Sequence, residues 1–129
     1  MMKIPVLITA LLVGATSAGL HAESVTEVQN TYLARGAGPF VYNSGESLWN
    51  SRIYKERRCP DCHGPDLSQS GEHKRTHKPI EAMAPSVTPA RYTDVRKVEK
   101  WFKRNCKWTL GRECTAQEKG DLLEYLKRF

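Results

Sequence analysis

At 129 residues the chain has room for one domain and hardly for two, so a multidomain enzyme is excluded. Lysine and arginine outnumber aspartate and glutamate by 20 to 14, giving a formal charge of +6. No repeat or low-complexity tract appears, and no Ser/His/Asp or paired-carboxylate constellation argues for hydrolytic chemistry.

The first 22 residues read as an export signal. Lys3 provides the positive start, Pro5 to Gly14 an apolar run, and Ala18 to Ala22 a small-residue approach to cleavage. We place the cut after Ala22, with Ala18 a second usable site. The apolar run is shorter than the ~20 residues of a membrane span, so the processed chain is expected not to cross one. Cleavage leaves 107 residues as a single domain (23–129) and removes only Lys3 among charged residues, so the charge falls to +5. Export to the periplasm removes nucleic acid as a partner. It also favours pairing of any thiols not otherwise used.

Residues 24–35 (SVTEVQNTYLAR) put Val25, Val28, Tyr32 and Leu33 on one side of a short helix, ended by Gly36, Gly38 and Pro39. A second helix is expected from a Ser44 N-cap, carrying Leu48, Trp49 and Ile53 up to Cys59. Residues 64–92 are broken by Gly64, Pro65, Gly71, Pro79, Pro85 and Pro89 and read as loop. Residues 94–105 (DVRKVEKWFKRN) return to helical spacing, with Val95, Val98, Trp101, Phe102 and Asn105 on one face. Thr115-Ala116-Gln117-Glu118 is a capping box opening a last helix, which carries Leu122, Leu123, Leu126 and Phe129 toward a core. No strand is expected, and the fold class is small and all-α.

Between the second helix and the loop stands Cys59-Pro60-Asp61-Cys62-His63-Gly64. C-x-x-C-H is the attachment signature of a c-type haem, with two thioether bonds and the histidine as one axial iron ligand. The four cysteines then divide into Cys59/Cys62 on one covalent haem and Cys106/Cys114 as a disulfide. The rival is zinc, because Cys59, Cys62, His73 and His77 are spaced almost as in a zinc finger. Against it, no apolar pair lies between Cys62 and His73 to form a finger's core.

The other face of the iron has three candidates: Met83, Asn105 and one of the histidines His73 and His77. Met83 is the methionine that remains after processing, and a thioether is the usual sixth ligand of small electron carriers. It also reads simply as an apolar residue packed on the porphyrin. Asn105 shares the expected buried face of its helix, where an unpaired amide costs ~1–3 kcal/mol. Either it is a C-cap in the left-handed conformation or its side chain faces the iron. The adjacent Cys106 favours the second, since a Cys106–Cys114 bridge fixes where Asn105 points.

With these residues in view the chain resembles the sphaeroides haem protein family, over most of the mature sequence from Cys59 to Leu126. The likeness rests on "CPDCHG", "IEAMAPSVTPARYTD", "VEKWFKRNC" and "GRECTAQEKGDLLEYL". The resemblance implies a class I cytochrome c fold around one haem c. It implies His63 as proximal ligand, Asn105 as a distal ligand of ferric iron that leaves on reduction, and a Cys106–Cys114 disulfide. It further implies a ferrous haem open to O2, NO or CO, with a dihaem cytochrome c or a membrane b-type cytochrome as electron donor. Hard amide oxygen suits ferric better than ferrous iron, which agrees with such a release. Turnover of O2 or NO is the enzymatic extension of this reading, and electron transfer its simpler form. The alternative is an ordinary His/Met electron carrier with Met83 on the iron. Finally, Arg96, Lys97, Lys100, Lys103, Arg104 and Lys107 line one side of the Asn105 helix. They read either as a solvated surface or as a docking patch for an acidic redox partner.

Overall fold

The computed structural model describes residues 18–129, with side chains from residue 24 onward. The expected export signal falls mainly on residues 1–17, outside the described residues.

Helix α1 spans Ala18–Leu33. Val25, Val28 and Tyr32 are buried as their spacing requires, whereas Leu33 is exposed. The fourth inward position belongs to Gln29, whose amide is fully used: Nε2 donates to the Gly120 carbonyl and to Glu124 Oε2, each at 3.1 Å. Helix α2 covers Tyr42–Asn50, so it starts before Ser44 and stops short of Ile53. Its first free N–H, on Val41, donates to the buried Asp121 carboxylate at 2.8 Å. The chain leaves the helix at Ser51, which is extended (φ −69°, ψ 147°), and further on Lys55 and Glu56 take left-handed φ angles of 51° and 54°. Ile53 is exposed there.

After the one-turn helix α3 (Pro60–His63), the loop contains a two-residue antiparallel pair that the sequence did not announce. Strand β1 (Gly71–Glu72) pairs with β2 (Pro79–Ile80), Gly71 opposite Ile80. A 3-10 turn at Pro89–Tyr92 leads into α4, Val95–Leu110. Asp94 caps α4 by accepting from the N–H groups of Arg96 and Lys97. The helix runs five residues beyond Asn105 and ends at Gly111, whose φ of 74° supplies the left-handed cap. Helix α5 (Ala116–Leu126) opens with the expected capping box at Thr115 and Glu118. Leu122, Leu123 and Leu126 are buried, and Phe129 is exposed.

Helix α5 divides the interior. Leu123 joins Val25, Val28, Tyr32, Tyr92 and Val98 on one side. Leu122, Tyr125 and Leu126 join Trp49, Leu67, Cys106, Leu110 and Cys114 on the other, with Cys59, Met83 and Phe102 packed at the margin. Helix α2 approaches α5 closely: a Cβ at Gly45 would stand 2.0 Å from the Asp121 carbonyl oxygen. The second cluster is the one that reaches the Cys59 segment.

Candidate haem centre

The C-x-x-C-H stretch folds as a single turn because its ends are tied locally. Cys59 is the N-cap and Pro60 the first helical residue, a position that suits proline's missing N–H. The Cys59 carbonyl accepts from the N–H groups of Cys62 and His63 at 3.2 and 3.1 Å. Outside the turn, Asp61 accepts from the Arg58 backbone N–H and from Arg58 Nε, both at 3.0 Å. Spacings of three and four place Cys59, Cys62 and His63 on one side of the turn. Strand β1 seals the back: a Cβ at Gly71 would lie 2.1 Å from the Cys62 carbonyl oxygen, so only glycine permits this approach.

Both thiols are free and half-buried. Burial pushes the Cys59 thiol up to about 12. The His63 ring packs against buried Trp49, ring centroids 5.4 Å apart. Burial, and then the positive charge of Arg91, push the His63 pKa down to about 4, so the imidazole is neutral and keeps a lone pair for a metal. Its Nδ1 is buried without a hydrogen-bond partner. Two free thiols and a neutral, orphaned imidazole on one helical turn are the donor set that a covalently attached haem requires, and the residues fit the group.

The distal candidates are placed quite differently from one another. Met83 is half-buried at the margin of the cluster that holds Trp49 and Cys106. Its carbonyl accepts from the Tyr92 hydroxyl at 2.5 Å. Asn105 is not a C-cap and not buried: it lies exposed within α4, and its carbonyl accepts from Thr109 Oγ1 at 2.9 Å. Its side-chain amide has no protein partner among the described residues. The reason is the true inward stripe of α4, which is Val98, Phe102, Cys106, Thr109 and Leu110. Trp101 and Asn105 lie on its edge, and Trp101 is 42% exposed with the Arg104 guanidinium 5.5 Å from its ring. Cys106 and Cys114 are joined as a disulfide with their Cα atoms 5.6 Å apart. Four residues of the enclosed segment, Lys107 to Leu110, are helical rather than loop.

The histidines serve the hairpin. His73 Nδ1 accepts from the N–H groups of Arg75 and Thr76, and His77 Nδ1 lies 2.8 Å from Glu72 Oε1. Among the described residues no three His, Cys, Asp or Glu side chains are grouped to hold a metal ion, so the zinc-finger set does not converge. The six basic residues of α4 are exposed. Lys103 and Lys107 each reach Glu113 at 3.7 Å.

A helical domain wrapped on a C-x-x-C-H turn defines a small class I c-type cytochrome, and comparison with known proteins agrees. The cytochrome c-type protein SHP of Cereibacter sphaeroides is 38% identical over 124 residues, 93% of this chain and 94% of that protein. The structure of oxidised SHP, an oxygen-binding cytochrome c, superposes with a TM-score of 0.72 at 39% identity, covering 79% of this chain and 94% of that one. Cytochrome c'' of Methylophilus methylotrophus is 38% identical over 104 residues, 74% of this chain and 72% of that protein. Its solution structure, which addresses haem-ligand detachment, superposes with a TM-score of 0.65 at 28% identity, covering 88% and 96% of the two chains. A family model described as a domain of unknown function (DUF1924) matches residues 35–126. The chain belongs to the sphaeroides haem protein family, and its cofactor is one covalently attached haem c. No helix among the described residues is long and apolar enough to cross a membrane.

Two residues beside the centre escaped the sequence reading. Trp49 was legible as a core residue, but nothing local ties it to a histidine 14 positions away. Arg91 lies in a Pro-rich stretch with no periodicity, and its proximity to His63 exists only in the folded chain.

Proposed function

We propose that this chain is an exported, periplasmic cytochrome that is reduced by a partner cytochrome and takes a small gas (O2, NO or CO) in its ferrous state. Cys59 and Cys62 form the thioether bonds, His63 is the proximal ligand, and Asn105 is the distal ligand of the ferric form. The observation that carries this reading is Asn105 itself. Its amide is exposed, lacks a protein partner and sits one residue before the disulfide that clamps the end of α4.

When bound, the haem would supply a redox-active iron able to take a small gas. The chain does the rest. Trp49 holds the plane of the His63 ring. A hard amide oxygen from Asn105 would suit ferric iron better than ferrous iron. The disulfide and the Thr109 hydroxyl hold the backbone at Asn105, so that its side chain can swing without unwinding the helix. The SHP of Cereibacter sphaeroides is an oxygen-binding cytochrome c, which supports extending gas binding to this chain. The electron donor is a dihaem cytochrome c or a membrane b-type cytochrome.

One observation favours the other reading, an electron carrier with Met83 on the iron: Met83 packs in the same cluster as Cys59. Optical spectra separate the two. A ferrous form that is high-spin and takes CO at once, with a ferric spectrum altered in Asn105→Ala, supports Asn105. A low-spin ferrous spectrum, indifferent to CO and to that substitution, assigns the iron to Met83.

A further inference from the structure

The segment between α2 and the haem turn does more than connect them. The Arg57 N–H donates to the Tyr54 carbonyl at 3.1 Å, closing a turn whose two central residues, Lys55 and Glu56, both have positive φ. Such a turn ordinarily takes Asn and Gly. Long charged side chains persist there only where the surroundings hold the backbone. Here the surroundings are the C-terminal end of α4. A helix end leaves its last four carbonyls without intrahelical donors, and the turn supplies two. Tyr54 N–H donates to the Thr109 carbonyl at 3.2 Å, and Arg57 Nη1 to that of Trp108 at 3.5 Å. The Arg57 guanidinium also lies over the Trp108 ring, 4.9 Å from its centroid. The Tyr54 ring sits on Gly111, where a Cβ would come within 2.9 Å of it. A cation at a helix C-terminus further suits the helix dipole.

We propose that the turn from Tyr54 to Arg57 is a brace that fixes the spacing between the haem turn and the part of α4 carrying Asn105, with Arg57 as its positioning residue. The proposal rests on the reading of His63 and Asn105 as the two axial ligands. Each end of the brace stands a short step from one of them. At one end Arg58 follows, tied through its backbone N–H and Nε to Asp61, and leads directly into Cys59. At the other, Trp108 and Thr109 lie three and four residues beyond Asn105, and the Thr109 hydroxyl donates to the Asn105 carbonyl. Two ligands on opposite faces of one iron need their elements held to within about 0.5 Å. The disulfide ties α4 to the start of α5, a different direction. The brace ties it to the haem turn. A hard amide oxygen suits iron less well than an imidazole, so slackening the brace frees Asn105 before His63.

The test uses the holoprotein, with pyridine haemochrome spectra establishing covalent haem in each variant. Ferric optical and electron paramagnetic resonance spectra are recorded for wild type, Asn105→Ala, Arg57→Ala, Arg57→Lys and the Arg57→Ala/Asn105→Ala pair, with a urea midpoint for each. In Arg57→Ala a second ferric component appears, with the signature of Asn105→Ala. Arg57→Lys keeps the charge but loses the planar stack on Trp108, and shows less of that component. The double variant is indistinguishable from Asn105→Ala, because nothing is left to position. A wild-type ferric spectrum in Arg57→Ala overturns the brace, even with a lowered urea midpoint, since Arg57 then only caps the helix. A further spectral change in the double variant also overturns it, by showing that Arg57 acts on the iron without Asn105. If Arg57→Ala yields no haem-loaded protein, Trp108→Leu must show the second component, and a wild-type spectrum there is equally fatal. Asn105→Ala with a wild-type ferric spectrum would instead sink the ligand reading itself, a separate result read before any Arg57 variant.

Discussion

Trp49 connects the haem turn to the rest of the molecule through a run of rings. Its indole lies 5.4 Å from His63 and 6.1 Å from Tyr125, and Tyr125 in turn meets Tyr42 at 5.3 Å. Helices α2 and α5 thus converge on His63 by aromatic packing. Trp49→Ala is expected to cost the holoprotein ~3–5 kcal/mol, the usual range for emptying a buried aromatic site. It should also broaden the ferric haem spectrum as the His63 ring gains freedom. Urea unfolding followed at the haem band measures both, and Trp49→Phe should recover most of the spectrum. Gly45 makes a sharper case, because the atom it avoids is backbone. A methyl 2.0 Å from the Asp121 carbonyl cannot be relieved by a rotamer change, so α2 must lift from α5. Gly45→Ala should destabilise by at least ~1–3 kcal/mol, with a lower urea midpoint and an unchanged slope.

Helix α4 and the turn that follows it show how far local signals reach. The cap at Thr115 was legible because its chemistry lies within four residues, and the C-x-x-C-H turn for the same reason. The side of α4 that faces inward was not. Residues 94–105 fit a stripe through Trp101 and Asn105 nearly as well as the true one, and packing of Phe102, Cys106 and Leu110 on α5 decides between them. The end of α4 was misjudged likewise, since Asn105 and Gly111 can both stop a helix and only the second does. Two predictions follow from the ends of these helices. Paired Cys106→Ser and Cys114→Ser substitution opens a short loop and should cost ~2–3 kcal/mol by the chain-entropy estimate. If Asn105 is the ferric ligand, the same variant should give a mixed ferric spectrum. At the capping box, hydrogen bonds from Arg112, against the opposing effect of burial, hold the Glu118 carboxyl below the usual range, with help from the Thr115 N–H. A carboxyl depressed in the folded state gives its full stabilisation above its unfolded pKa. That contribution is lost as pH falls through the folded value. Glu118→Gln should therefore lower stability near neutral pH, by ~1 kcal/mol or less, and the difference from wild type should shrink toward about pH 3. Urea midpoints across that range test the sign.

At the scale of the whole molecule, the interior is two modest clusters on either side of α5 rather than one large core. Phe102 touches both. The cluster nearer the haem turn keeps Cys59, Met83 and Phe102 only partly covered. A porphyrin bonded at Cys59 and Cys62, as proposed, would bring a large apolar plane to that margin. Because the bond is covalent, the plane stays with the chain at any concentration. A small domain buries a limited share of its surface, so that added contact would be a large fraction of its net stability. This gives the last prediction. Cys59→Ser/Cys62→Ser should yield no pyridine haemochrome from the washed, denatured protein, with helical content by circular dichroism largely kept. Its melting temperature should fall by ~10–20 °C, the shift expected for a few kcal/mol in a domain of this size. A variant that melts with wild type would show that the two clusters suffice without the haem, leaving the cofactor to function alone. A variant with no cooperative melt would make haem attachment the step that completes the fold.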